Sequence, residues 1–159
     1  LTLRENLLMP LHHRHGLGRA FWLSRQRRDE IEDEAQSLAR SLQLADYMDR
    51  RVRELAYGQQ RLLEIAIALA LKPTLLILDE PAAGVPAGES GVIIDVLKTL
   101  PVNLSVLLIE HDMDLVFRFA REIVVLVEGS VLTSGTPAEI AADQRVQDIY
   151  FGKSHAAIA

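Results

Sequence analysis

Leu75-Leu76-Ile77-Leu78-Asp79-Glu80 decides how the rest of this chain is read. Four consecutive aliphatic residues mark a short strand buried on both faces, and two carboxylates close it. Upstream, Leu62, Leu63, Ile65, Ala66, Ile67, Leu69 and Ala70 follow Gly58 as a helix apolar on most sides, which predicts burial. Lys72-Pro73 ends that helix, because proline forces the residue before it out of helical geometry. Downstream, the turn-rich stretch Pro81 to Gly88 precedes a helix expected to turn Val92, Ile93, Val96, Leu97 and Leu100 inward. Ser105 to Ile109 reads as a second buried strand. Asp112 caps a further helix through Leu115, Val116, Phe119 and Ala120, and Ile123 to Val127 reads as a third strand. Glu128-Gly129-Ser130 forms a hairpin turn into a short antiparallel strand ending near Gly135. Residues 137–151 read as one or two short helices.

Before the deciding stretch lie two helical patterns and a link. Leu1 to Arg28 mixes apolar residues with a loop-like run, Pro10 to Gly18, that holds three histidines. Ile31, Ala35, Leu38, Ala39 and Leu42 then fall at helical spacing. A polar link, Asp46 to Glu54, leads to Leu55-Ala56-Tyr57-Gly58-Gln59 at the head of the apolar helix. Strands alternating with helices predict an α/β fold with a mostly parallel sheet flanked by helices. Ligands gather at the C-terminal ends of such strands, which directs attention to Asp79-Glu80 and to Glu110-His111-Asp112.

Composition narrows the function. The 159 residues are 49% hydrophobic and 25% charged, as in an ordinary globular domain with a sizeable core. Seventeen basic against 22 acidic side chains give a net charge of −5, which argues against phosphate-backbone binding and hence a nucleic-acid partner. The absence of cysteine excludes disulfides, thiolate zinc sites and thiol catalysis. Charge is uneven: residues 1–61 hold 11 basic and 9 acidic side chains, residues 62–159 hold 6 and 13. The first residue is Leu1 and no signal segment follows it, so the chain is expected to be a piece of a longer protein.

Three features carry chemistry. An aliphatic strand ending Asp79-Glu80 is the Walker B arrangement, in which Asp79 holds Mg²⁺ and Glu80 polarises the water that attacks a γ-phosphate. Ordinary strand ends also carry acids, so this feature alone leaves a purely structural reading open. Gly58 opening a helix offers backbone amides and the positive dipole end to an anion, and the same glycine also suits a plain loop. His111 lies one residue beyond a strand end, placed either to donate to a γ-phosphate or simply to start a helix.

Order and spacing join them. A glycine-opened helix, a strand ending Asp-Glu about twenty residues on, and a strand ending in His about thirty further resemble the nucleotide-binding subunits of ABC transporters. Leu55 to Gln59 matches the signature motif, Leu75 to Glu80 Walker B, Ala83 to Pro86 the D-loop, and His111 the switch histidine. Leu-Ala-Tyr-Gly-Gln-Gln-Arg, Asp-Glu-Pro-Ala-Ala-Gly, Ile-Glu-His-Asp-Met-Asp-Leu-Val, Gly-Thr-Pro-Ala-Glu-Ile and the Ile149-Tyr150-Phe151-Gly152 ending are similar to the branched-chain amino acid branch. The resemblance implies a partial P-loop NTPase fold with a helical subdomain, ATP and Mg²⁺ as cofactors, and a head-to-tail dimer with a second ATP-binding subunit. Ala56, Tyr57, Gly58 and Gln59 would then act on the partner's ATP, with Gly84 and Val85 in the D-loop, while Asp79, Glu80 and His111 serve the chain's own. It further implies membrane permease subunits and, indirectly, a solute-binding protein as partners, at the cytoplasmic face of the bacterial inner membrane. Residues 1–54 correspond to the helical subdomain and lead-in, 55–135 to the signature-to-switch part of the core, and 136–159 to a C-terminal helical tail.

The match has departures. Walker A, Gly-x4-Gly-Lys-Ser/Thr, is absent from the sequence; Gly152-Lys153-Ser154 has Gln147 at the leading position and no buried strand before it. The chain is therefore expected to be the C-terminal portion of such a subunit, binding ATP feebly and hydrolysing none by itself. Ala56 stands where most ABC proteins have Ser, losing a hydroxyl and a helix cap, and Pro86 replaces the Asp or Asn of the D-loop. His12, His13 and His15 lack a further ligand at metal-site spacing. Phe21-Trp22-Leu23, amid Arg19, Arg25, Arg27 and Arg28, fits either permease docking or packing within the domain. Two other classes compete with the transport ATPase: a non-catalytic module that presents only its signature helix, and an ABC-type ATPase of DNA repair or translation. The latter would carry long coiled-coil insertions or a tandem cassette, and neither is in the sequence.

Overall fold

The computed structural model describes residues 1–16, 24–85 and 87–151. The expectations placed on Arg19, Phe21-Trp22-Leu23, Pro86 and Gly152-Lys153-Ser154 lie outside these residues. The chain is α/β and forms two compact units, Leu1–Leu107 and Leu108–Ala159.

The first unit begins with α1 (Leu3–Arg14), where Leu3, Leu7 and Leu11 recur every four residues and are fully buried. Every amide of its first turn finds an acceptor. Leu3 N–H donates to Arg50 O at 3.0 Å and Arg4 N–H to Met48 O at 2.9 Å. Glu5 N–H donates to Thr2 Oγ1 at 3.2 Å, Asn6 N–H to Thr2 O at 3.2 Å, and Thr2 N–H donates back to Glu5 Oε2 at 2.8 Å. The helix runs on through Pro10, His12 and His13, so the expected loop over Pro10 to Gly18 is corrected as far as Arg14. An interior proline costs about 3 kcal/mol. Each fully buried leucine returns about 1.5–3 kcal/mol, and the stripe on either side of Pro10 outweighs the lost bond.

Helix α2 (Arg25–Ser41) buries Ile31, Ala35 and Ala39 on the stripe expected of it. Helix α3 (Tyr57–Ala70) packs against both α1 and α2 and buries Leu62, Leu63, Ile65, Ala66 and Ala70. It stops before Lys72-Pro73, with Lys72 itself in the left-handed region at φ 51°. The C-terminal ends of α1 and α3 meet the middle of α2 at Glu34. Its carboxylate pairs with Arg14, lies 3.0 Å from His15 Nε2 and 3.4 Å from Lys72 Nζ, while Arg14 also donates to Ala70 O at 2.6 Å.

Strand β1 (Leu75–Asp79) and strand β2 (Ser105–Ile109) are sheet neighbours joined through α4 (Ala87–Lys98), and Ser105 N–H donates to Thr74 O at 3.0 Å where β2 begins. Two expectations are corrected here. The strands are not buried on both faces: Leu76 and Leu78 are buried, whereas Leu75 is 51% and Ile77 58% exposed, and Leu107 and Ile109 are exposed too. Successive side chains point to opposite faces, and among the described residues only one face is covered. In α4, Ile93, Ile94, Val96 and Leu97 are buried while Val92 is exposed and Leu100 half-buried, so the inward stripe is rotated by Ile94 from the one expected.

The second unit holds α5 (Met113–Phe119), β3 (Ile123–Val127), β4 (Ser130–Gly135) and α6 (Pro137–Ala142), followed by a single helical turn over Gln144–Val146. Ile123, Val125, Ile140 and Val146 form its core, with Met113, Val116 and Phe117 packed against it. Strand β3 pairs antiparallel with β4 across the expected hairpin, but among the described residues it does not join β1 and β2 as the expected third member of a parallel sheet. The turn between them has Glu128 at φ 49° and Gly129 at φ 78°, the double left-handed geometry of a tight hairpin. Glu139 and Thr136 form a reciprocal cap at the start of α6.

Two predictions follow from the first unit. Leu7→Ala removes a fully buried side chain and is expected to cost about 2–5 kcal/mol in urea unfolding. For Glu34, burial pushes the carboxyl up, but hydrogen bonds from His15 and Arg14, the Arg14 charge and Lys72 outweigh it and hold the pKa at about 2, below the usual 4.5. A depressed carboxylate stabilises the fold fully above its ordinary pKa, and that contribution fades as pH falls from 4.5 towards 2. Glu34→Gln should flatten the stability profile across that window, as followed by far-UV circular dichroism.

Candidate functional site

The residues singled out in the first unit occupy the start of α3 and the end of β1. Leu55 is buried and anchors the approach, and Ala56 takes the N-cap position with extended backbone, φ −60° and ψ 154°. Alanine has no side-chain acceptor, so only half of a capping box forms: Ala56 N–H donates to Gln59 Oε1 at 3.0 Å. Gln60 Nε2 donates to Leu55 O at 3.0 Å, which holds the preceding residue against the helix. The first amide to close a helical bond is that of Gln60, to Ala56 O at 3.1 Å. The amides of Tyr57, Gly58 and Gln59 have no acceptor among the described residues. Three outward amides at the positive end of a 14-residue helix suit an anion such as a phosphate.

Asp79 is the last residue of β1 and is exposed, its carboxylate delivered to the strand's C-terminal end. Glu80 follows with φ 45°, a left-handed backbone that a non-glycine residue adopts only at a cost. Tight turns succeed it: Ala83 N–H donates to Glu80 O at 2.9 Å and Val85 N–H to Ala82 O at 3.1 Å. Pro81 is buried beneath them, Gly84 is left-handed at φ 76°, and Val85 is half-buried. A cleft of about 240 Å³ separates α3 from β1 and has Arg61, Glu64, Asp79 and Pro81 among its walls.

The structure brings Tyr57 and Gly84 together. A Cβ on Gly84 would stand 3.2 Å from Tyr57 Cε1, so the ring lies directly on the turn. Arg61 was not singled out by sequence and completes the group. Its guanidinium sits 4.9 Å from the Tyr57 ring centroid and donates to Tyr57 Oη, while Glu64 binds it at 2.7 Å. The hydrogen bond from Arg61 to Glu64 is the largest of the influences that raise the Arg61 pKa. The spacings of four and three residues on one helix face were the available signal.

His111 belongs to the second unit, exposed and one residue before Asp112. Asp112 caps α5 as the sequence predicts, accepting from Leu115 N–H at 3.2 Å. Of the other histidines, His12 and His13 lie on α1, and the His15 ring faces Arg14 and Glu34. Among the described residues no group of three or more His, Cys, Asp or Glu is placed to hold a metal ion, and no helix is long and apolar enough to cross a membrane.

The chain is similar to known proteins along most of its length. The chain is 39% identical to the high-affinity branched-chain amino acid transport ATP-binding protein BraF of Pseudomonas aeruginosa, over 97% of this chain and 63% of that protein. It is 35% identical to LivG of Escherichia coli K12, of the same description, with the same coverage of both chains. The chain thus spans less than two thirds of the length of these relatives. Among solved structures, the ADP conformation of an ATP-binding cassette of an ABC transporter superposes with a TM-score of 0.74 at 28% identity, over 96% of this chain and 63% of that one. An inward-facing structure of a putative metal-chelate type ABC transporter shares the fold, with a TM-score of 0.77 at 21% identity, 95% of this chain and 58% of that one. Residues 130–156 match the family described as branched-chain amino acid ATP-binding cassette transporter. Residues 1–83, just over half of the 159, match the family described as ABC transporter, and the chain belongs to that family.

Proposed function

We propose that this chain is part of the ATP-binding and ATP-hydrolysing subunit that powers import of amino acids, specifically branched-chain ones, through an ABC transporter. The observation that carries the reading is an α3 whose first three amides have no acceptor among the described residues, paired in one unit with a strand that runs into the carboxylates of Asp79 and Glu80. The BraF and LivG likenesses over 97% of the chain and the match of residues 130–156 support the choice of solute.

Mg-ATP, when bound, supplies the phosphoanhydride whose cleavage drives the cycle. Asp79 would hold Mg²⁺, because a hard cation that keeps much of its water favours an exposed carboxylate. Glu80 would accept a proton from the attacking water as general base. His111 would donate a hydrogen bond to the γ-phosphate and report its presence. The Ala56, Tyr57, Gly58 and Gln59 segment would present its amides to the ATP of a second ATP-binding subunit, and Gly84 and Val85 would form the D-loop at that dimer face. Residues 1–54 would serve as helical subdomain and lead-in, 55–135 as catalytic core and 136–159 as the C-terminal tail. Dimer closure and opening would then rock permease subunits at the cytoplasmic face of the bacterial inner membrane, fed by a solute-binding protein. With no Walker A in its sequence, the chain would lack that motif's cradle for the β- and γ-phosphates, and the 159 residues alone would turn over no ATP.

The test is a complete subunit assembled with its permease in liposomes. Glu80→Gln should lower ATP turnover by about 10²-fold or more while ATP still binds, and uptake of leucine, isoleucine and valine should fall with it. Turnover that survives Glu80→Gln unchanged would refute the assignment. The isolated chain should release no radiolabelled phosphate above its own Glu80→Gln background.

A further inference from the structure

We infer that Tyr57 is a positioning residue that holds the turn following Glu80, a role that rests on the functional reading above and extends it within a single subunit. The ring is fixed on two sides. On one, Gly84 approaches so closely that a Cβ there would stand 3.2 Å from Cε1 and 3.5 Å from Cζ and Oη. On the other, Arg61 stacks over the ring at 4.9 Å and donates to its hydroxyl, and is itself held by Glu64 at 2.7 Å. Arg61 and Glu64 stand on α3, one and two turns along from Tyr57, so the ring moves with the helix start.

Gly84 is equally tied to the carboxylate end of β1. The hydrogen bonds from Ala83 N–H to Glu80 O and from Val85 N–H to Ala82 O make residues 80–85 one hydrogen-bonded unit. A Cβ on Gly84 would push the ring back by a few tenths of an ångström, and the left-handed φ of 76° itself favours glycine. Glu80 at φ 45° needs external support to keep a costly backbone, and the ring pressed on the turn supplies some of it. The segment that would face the partner's nucleotide and the turn that carries the chain's own general base therefore share one contact. A shift at one is felt at the other without passing through the sheet.

Kinetics of the assembled transporter and the spectrum of the chain test this together. In the chain, the Gly84 resonances should carry a ring-current shift that persists in Tyr57→Phe and disappears in Tyr57→Leu. In the transporter, Tyr57→Leu should lower kcat about tenfold with the KM for ATP within about twofold, and Tyr57→Phe should restore most of the rate. Gly84→Ala should also slow turnover, and the Tyr57→Leu/Gly84→Ala pair should lose at least about threefold less than the product of the single losses. Rates that multiply, a loss confined to KM, or unshifted Gly84 resonances in the unaltered chain would overturn the inference. If the unaltered transporter hydrolyses no ATP, the functional reading fails as well; if it hydrolyses ATP and the pair is additive, only the role of Tyr57 fails.

Discussion

Helix α3 has too much apolar surface to be satisfied by one neighbour. Leu62, Leu63, Ile65, Ala66 and Ala70 point in several directions around its axis, and each has to be taken out of water. Helices α1 and α2 close on it from the same unit, α1 with a leucine at every fourth position, and Arg14 ties its last turn through the carbonyl of Ala70. A helix held this firmly along its length has a fixed start. That is what lets a short segment such as Ala56 to Gln59 present amides in a set direction, and what gives Tyr57 a rigid base from which to reach the next turn of chain. The site is precise because the helix behind it is immobilised by packing.

Much of this was legible in the residues themselves. The glycine-opened apolar helix, the Leu-Leu-Ile-Leu strand, the Asp112 cap and the Glu128-Gly129 hairpin all follow from local rules of period, capping and backbone freedom. The misses share a different cause. Helix α1 passes through Pro10 because its leucines are buried by α2 and α3, which lie at least ten residues away in sequence. The exposed faces of β1 and β2 and the separate pairing of β3 with β4 depend on what covers or flanks each strand, and a four-residue aliphatic run carries no word of that. Ile94 entered the core in place of Val92 because the three consecutive β-branched residues Val92-Ile93-Ile94 read alike until the helix is docked. At the site, the motif residues could be named from order and spacing, whereas the Tyr57–Gly84 contact joins positions 27 apart and is a product of the fold.

Electrostatics divides along the same line. Surface pairs such as Arg61 with Glu64 or Arg145 with Asp143 come from neighbours on one helix or turn and are visible as spacing. The Glu34 cluster gathers Arg14, His15 and Lys72 from segments distant in sequence and holds one half-buried carboxylate against three nitrogen-bearing side chains. Of the histidines expected in a loop, His15 thus ends as part of the seam between helices.

The half-covered strands bear on how such a chain comes to be folded. Leu75, Ile77 and Leu107 place aliphatic side chains on one face of a two-stranded pair, and two strands alone do little to protect their outer backbone groups. A row of that kind is a template for any other strand it meets, including one from an identical chain. During synthesis it is therefore the stretch with the most to lose from delay: cover that arrives late meets a surface already occupied.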